Sequence, residues 1–250
     1  FDKMNGISTS VGDSTSRITL NLNAWSGIGT DLNFRKAVQA AINKDDINKA
    51  VNSGAATILT VDICPMYGGY PDQIKGVDYD VEAAKAYLAK SSYKGEDFSI
   101  TCVAGSTFET VAKVIQAQLL EIGINAKVEA VDNTTYEEKG KKRNFDSRLV
   151  DEASSLIDAD SIATQFTPSR FDESVWYPRA AEIYAMAQSG RSLQGDARKQ
   201  VYGQIAQILL DEAYTVPLYN GITTVAYNDS LEGVQAHCLG YYLFRYWSWK

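Results

Sequence analysis

A chain of 250 residues with 45% hydrophobic side chains holds enough apolar material for one large domain or two small ones. Its 24 Lys and Arg against 31 Asp and Glu leave a net charge of −7, which repels nucleic acid and anionic lipid surfaces, so nucleic-acid binding is not an expected function. No apolar run approaches the roughly 18 residues of a membrane span, and the opening FDKMNGIS lacks a basic stretch leading into an apolar one, so any export signal is expected outside these residues.

Residues 1 to 17 are rich in Ser, Thr, Gly and Asn, carry no periodicity, and read as loop or a loosely held end. Arg17 to Trp25 then alternates, with Ile18, Leu20 and Leu22 on one face and Thr19, Asn21 and Asn23 on the other, which predicts a half-buried strand. In the next stretch, NFRKAVQAAINKDDI from Asn33 to Ile47, the residues Phe34, Ala37, Val38, Ala41 and Ile42 form one helical stripe. Arg35, Lys36, Gln39 and Asn43 are expected to turn away from it. Asp31 or Asn33 caps this helix, Asn43 breaks it, and Asp45 or Asp46 starts a second short helix that Gly54 ends.

Ala55 to Asp72, with Pro65, Gly68, Gly69 and Pro71, reads as a long non-helical loop. Asp80 then caps a helix whose inward stripe is Val81, Ala84, Tyr87 and Leu88. Phe98 to Val103 alternates as a strand, Thr107 to Ile122 is an amphipathic helix stopped by Gly123, and Ile124 to Val131 alternates again. Strand, crossover helix and strand make a right-handed βαβ unit, so part of the sheet is expected to be parallel. Thr135 to Asn144 is a polar helix or turn whose Lys139, Lys141, Lys142 and Arg143 read as a solvated face. Phe145 to Ala153 is extended, Asp158 caps a helix running to Phe166, and Trp176 to Gln188 and Asp196 to Tyr214 are two more helices. The chain ends in extended segments with Tyr241, Tyr242, Phe244, Tyr246, Trp247 and Trp249, a composition that seeks a partner surface.

Catalytic signatures are missing: there is no G-x-S-x-G, H-E-x-x-H, P-loop or C-x-x-C pattern. Cys64, Cys102 and Cys238 are too few for a disulfide framework, and His237 is the single histidine. Carboxylate pairs stand at Asp45/Asp46, Asp151/Glu152 and Asp158/Asp160, where helix caps are the ordinary explanation. No cofactor and no metal site are expected, and enzyme is the weaker reading.

Three stretches resemble one family. NFRKAVQAAINKDDI, then VIQAQLLEIGINAKVEAV from Val114 to Val131, then RKQVYGQIAQILLDEAYTVPLY from Arg198 to Tyr219, are similar to segments of the family 5 extracellular solute-binding proteins, the receptors of peptide, oligopeptide and nickel ABC importers. The resemblance runs from about Leu20 to Tyr219. It implies an α/β, periplasmic-binding-protein-like lobe, a mixed β-sheet with helices on both faces. Family members are about twice this length, with two lobes around a cleft, so the resemblance implies a C-terminal lobe lacking most of the N-terminal lobe. The implied division is a flexible segment over 1–17, the ligand-binding lobe over 18–225, and an extended segment over 226–250 that packs with the other lobe. The two backbone crossings between lobes fall just before Arg17 and just after Tyr219.

Within the resemblance, VDEASSLIDAD from Val150 to Asp160 lines the cleft. Aligning Asp158-Ala159-Asp160-Ser161 on the family pattern puts Ser155 where peptide binders carry the aspartate that pairs with a ligand ammonium. Asp151 or Glu152 then takes over that role, or the ligand is not a free peptide. Ser154 and Ser155 are expected beside the ligand, with Trp25, Tyr67 and Tyr70 as aromatic walls; a packing role for each aromatic stays equally open. The implied function is capture of a small, peptide-like solute outside the cytoplasm and delivery to an ABC permease in the membrane, as a periplasmic protein or a cell-surface lipoprotein. The alternatives are a cell-surface sensor or adhesion module reusing the fold, and a hydrolase built on the Asp151/Glu152 and Asp158/Asp160 carboxylates.

Overall fold

The computed structural model describes residues 4–167 and 177–250; Trp176, the expected start of a helix, lies outside the described residues. Five strands form one mixed sheet in the order β3-β2-β4-β1-β5. They are β1 (Ile7–Leu22), β2 (Phe98–Val103), β3 (Ala126–Val131), β4 (Ser147–Ala153) and β5 (Thr215–Asn228). β2 runs parallel to β3 and β4, whereas β1 is antiparallel to β4 and β5. The expected βαβ unit is present: α4 (Phe108–Glu121) crosses from β2 to β3, buries Val111, Ala112, Ile115 and Leu119, and ends at Gly123, whose φ of 92° suits a residue without Cβ.

On one face of the sheet, Ile18, Leu20 and Leu22 join Ile100, Leu149 and Val216 in a core covered by α1 (Leu32–Ala41), α2 (Lys44–Asn52), α3 (Val81–Lys90) and α4. The stripe on α1 arises as its spacing predicts, with Phe34, Ala37 and Val38 fully buried. Asp31 caps α1 by accepting from the backbone N–H groups of Asn33 and Phe34, and Asn43 both ends the turn and caps α2. Ser53, in the left-handed region, and then Gly54 close α2.

Arg35 and Gln39 correct the expected pattern, for both are buried although they lie off the stripe. A second core of Val61, Ile63 and Tyr67, the 3-10 helix Ala159–Phe166, α6 (Ala180–Gly190) and α7 (Gly195–Asp211) closes over them. The Arg35 guanidinium donates to the carbonyls of Gly29 and Glu212, and Gln39 donates to that of Leu210, so these polar groups satisfy helix ends rather than water. α5 (Asn133–Lys141) packs over Arg148, and a Cβ on Gly140 would collide with that guanidinium.

Two further expectations change. The segment expected as a loose end is paired strand from Ile7 onward, in register from Ile7↔Asn228 to Asp13↔Ile222. It has no apolar alternation because this two-stranded ribbon is held by backbone hydrogen bonds rather than by one buried face. β1 is also not half-buried: Arg17, Thr19 and Asn21 on its polar face are each nearly inaccessible, because the loop around Asp62 covers them. β5 runs through the expected boundary at residues 225 and 226. Beyond it, β6 (Leu231–Glu232) pairs with β7 (Ser248–Trp249), and the intervening Tyr241, Tyr242, Phe244 and Tyr246 are exposed.

Asp31 joins two elements, since it also accepts from the N–H and hydroxyl of Ser92 beyond α3. Partial burial works against its ionisation, yet the hydrogen bonds from Ser92, Phe34 and Asn33 hold its carboxyl below the usual range. A depressed carboxylate stabilises the fold above its unfolded pKa of about 4, and that contribution is lost as pH falls through the folded value. Asp31→Ala is expected to lower unfolding free energy by about 1 kcal/mol at pH 7. Urea titrations from pH 7 to 3 should then show a shallower acid decline in the variant than in the parent.

Candidate functional site

Between Asp13 and Arg17 the pairing of β1 with β5 shifts register, with Ser14, Thr15 and Ser16 set against Gly221. A Cβ on Gly221 would stand 2.7 Å from both Ser14 Oγ and Ser16 Cβ, so the close approach of the strands requires glycine there. Beside this irregularity lies an open cavity of about 360 Å³. Ser14, Thr15 and Ser16 form one wall, Ala153, Ser154 and Ser155 past the end of β4 form another, and Thr223 with Cys238 to Tyr241 completes it.

The lining offers hydroxyls and backbone rather than charge. Ser154 is turned into a local bend, its hydroxyl bonded to the carbonyl and N–H of Leu156. Asp151 adjoins the cavity and accepts the hydroxyl of Ser16. Its neighbour Glu152 stands directly opposite Arg17 in the ladder and points to the other face.

That other face holds a buried ionic cluster. Arg17 lies 3.6 Å from the Asp62 carboxylate and donates to the Asp62 carbonyl at 2.8 Å. Burial pushes the Asp62 carboxyl up to about 6, with Arg17 drawing it down and Glu152 adding to the rise. Burial likewise pushes the Cys64 thiol up to about 12, so it is an inert core group. Tyr67 is buried and donates to the Thr15 carbonyl at 2.6 Å, fixing the cavity wall from beneath.

Asp151, Ser154, Ser155 and Tyr67 are therefore gathered around the Thr15–Ser16 segment of β1, with Glu152 on the opposite face beside Arg17. Trp25 and Tyr70 do not line this cavity. Trp25 follows the opposite end of β1, half-exposed beneath the Arg143 guanidinium at 4.6 Å, and Tyr70 pairs its hydroxyl with Thr60. Asp158 caps the 3-10 helix and pairs with Arg198, and Asp160 accepts from Tyr202 and Arg191 at 2.9 Å each. Neither pair of acids lines the cavity as free acid and base. Sequence reasoning missed Ser14 to Ser16, Thr223 and Cys238 as lining groups; the serine-threonine run before Arg17 is the signal that marks them. Among the described residues, no group of His, Cys, Asp or Glu is placed to hold a metal, and no helix is long and apolar enough to cross a membrane.

Superposition defines the class first. The fold is that of a periplasmic-binding-protein lobe: NikA from Brucella suis, solved in complex with Fe(III)-EDTA, matches all of this chain and 54% of its own at a TM-score of 0.87 and 19% identity. Residues 2–173 match the family described as bacterial extracellular solute-binding proteins, family 5 middle, and the chain belongs to that family. It is 25% identical to the oligopeptide-binding protein AppA of Bacillus subtilis strain 168 over 94% of this chain and 47% of that protein. It is 26% identical to the dipeptide-binding protein of Escherichia coli K12 over 84% of this chain and 40% of that protein. The chain spans about half the length of the curated relatives it matches.

The ionic cluster generates a prediction. Arg17→Met leaves the Asp62 carboxyl buried without its cation and is expected to destabilise by about 3 to 5 kcal/mol. Pairing it with Asp62→Leu should recover most of the loss, and urea denaturation of the single and double variants measures both.

Proposed function

We propose that the chain is the substrate-capture part of an ABC importer for peptides or peptide-like solutes, forming one wall of a cleft whose other wall is the half of the relatives that this chain does not match. The observation that carries this reading is the hydroxyl-lined cavity built on the register shift of β1 and β5, beside the segment that the family resemblance assigns to the ligand. The ribbon beyond that shift serves as the hinge, and closure on the solute presents the receptor to a membrane permease. The exposed rings of Tyr241, Tyr242, Phe244 and Tyr246 dock on the other lobe. The protein works outside the cytoplasm, as a periplasmic receptor or a lipid-anchored one, and binds without catalysing, since Asp158 and Asp160 are occupied by caps and ion pairs.

Ser155 cannot balance a ligand ammonium, so one of the two neighbouring acids must. Strand alternation favours one of them: Glu152 faces Arg17, whereas Asp151 shares the Ser16 side with the cavity. Asp151 is the ammonium anchor on this reading.

Thermal-shift titration of the full-length gene product against short peptides tests it. A peptide at about 100 times its dissociation constant adds roughly 2.7 kcal/mol of stability, a clear rise in melting temperature. Asp151→Asn is expected to weaken peptide binding by about tenfold or more, the worth of one charge-assisted hydrogen bond. N-acetylated peptides should bind parent and variant alike. A response to sugars or metal chelates with none to peptides overturns the peptide assignment.

A further inference from the structure

A second cavity lies between the start of α2 and the chain segments 58–60 and 76–79, with a volume of about 180 Å³. Lys44 lines it and donates its amine to the Leu59 carbonyl at 2.9 Å, which leaves two of its three N–H groups for another acceptor. Ile58, Leu59 and Val77 supply apolar wall, and Asp78 lines the same space and acts electrostatically on the amine. Asp45 and Tyr79 are the other titratable groups at its edge. The amine ties α2 to the loop through one bond, yet that bond needs neither the cavity nor the facing acid. At roughly 30 Å³ per water, the volume corresponds to about six heavy atoms, and the cavity is partly open, so a somewhat larger group fits with its end at the surface.

We propose that this cavity is a separate small-molecule site that takes a small apolar α-amino acid as its zwitterion, carboxylate on the Lys44 amine, ammonium on Asp78, and side chain against Ile58 and Val77. A zwitterion meets the Lys44 and Asp78 charges at once, whereas a monocarboxylate or an amine alone is attracted by one of them and repelled by the other. Alanine has six heavy atoms and valine two more, which matches the volume.

The charge state of Lys44 supplies a signature. Burial lowers its ammonium to about 8, with Asp78 pulling the other way. A bound carboxylate restores the charged form, so binding at pH 8 takes up a fraction of a proton, up to about half.

Isothermal titration of the full-length gene product with alanine and valine, in two buffers of different ionisation enthalpy at pH 8, tests the site. Saturable binding with proton uptake is expected, weakened at least tenfold by Lys44→Met and by Asp78→Asn, with propionate and ethylamine silent in the parent. Circular dichroism checks that each variant is folded, and Asp78→Asn decides alone if Lys44→Met is not. No heat with either amino acid overturns the proposal. So does binding that is insensitive to both substitutions, which places the amino acid elsewhere on the protein, or propionate binding as well as alanine.

Discussion

A guanidinium buried in a sheet needs an opposite charge and an acceptor beside it, and the fold around Arg17 is shaped by that requirement. An isolated buried charge is too costly to persist, so the chain brings the Asp62 carboxylate and carbonyl to it from a loop remote in sequence and places Glu152 across from it on β4. A slip of β1 by one residue would send Arg17 into the Leu20 core, so the charge fixes the register of the longest strand as firmly as the apolar residues do. The same loop delivers Tyr67 to the Thr15 carbonyl, and the shape of the cavity wall follows from where the charge is buried.

The two cores divide the work. The core beneath α1 to α4 is apolar and close-packed, and gives the sheet its stability. The core beneath α6 and α7 is fastened by specific polar contacts: Arg35 on the end of α7, Arg198 on Asp158, Arg191 and Tyr202 on Asp160. Such contacts hold an irregular segment after β4 in one conformation where no regular ladder does. The turn at Ser154 and Ser155 is thereby presented from a fixed base.

How far the sequence could be read depended on which force shaped each part. α1, α3, α4, β2 and β3 follow from apolar spacing because each buries one face, and their limits fall within a few residues of those the spacing predicts. Ile7 to Ser16 was illegible because a ribbon held by its backbone leaves no side-chain pattern. Arg35 and Gln39 misled because burial against carbonyls looks, in sequence, like exposure to water. For the site, the segment containing Asp151 to Ser155 was reached through resemblance, and the residues facing it across the cavity were not, since serines and threonines near a chain end suit a loop equally well. Trp25 and Tyr70 entered as aromatic walls by type; Trp25 sits past the far end of β1, and the six residue steps of strand from Ser16 to Leu22 span roughly 20 Å.

The position of the cavity matters more than its size. It straddles the register shift, with Ser14 to Ser16 at the shift, Thr223 on the ribbon side, and Ser154 and Ser155 on the sheet side. On the proposed reading, a solute touching both sides gains or loses contacts as the ribbon swings, and only such differential contacts shift a conformational equilibrium. Gly221 permits the tight strand approach on which that geometry rests, and Tyr67 holds one edge still from below. On the proposed reading, the element that moves and the surface that binds share the same few residues, so occupancy reaches the hinge directly, with no pathway through the rest of the lobe.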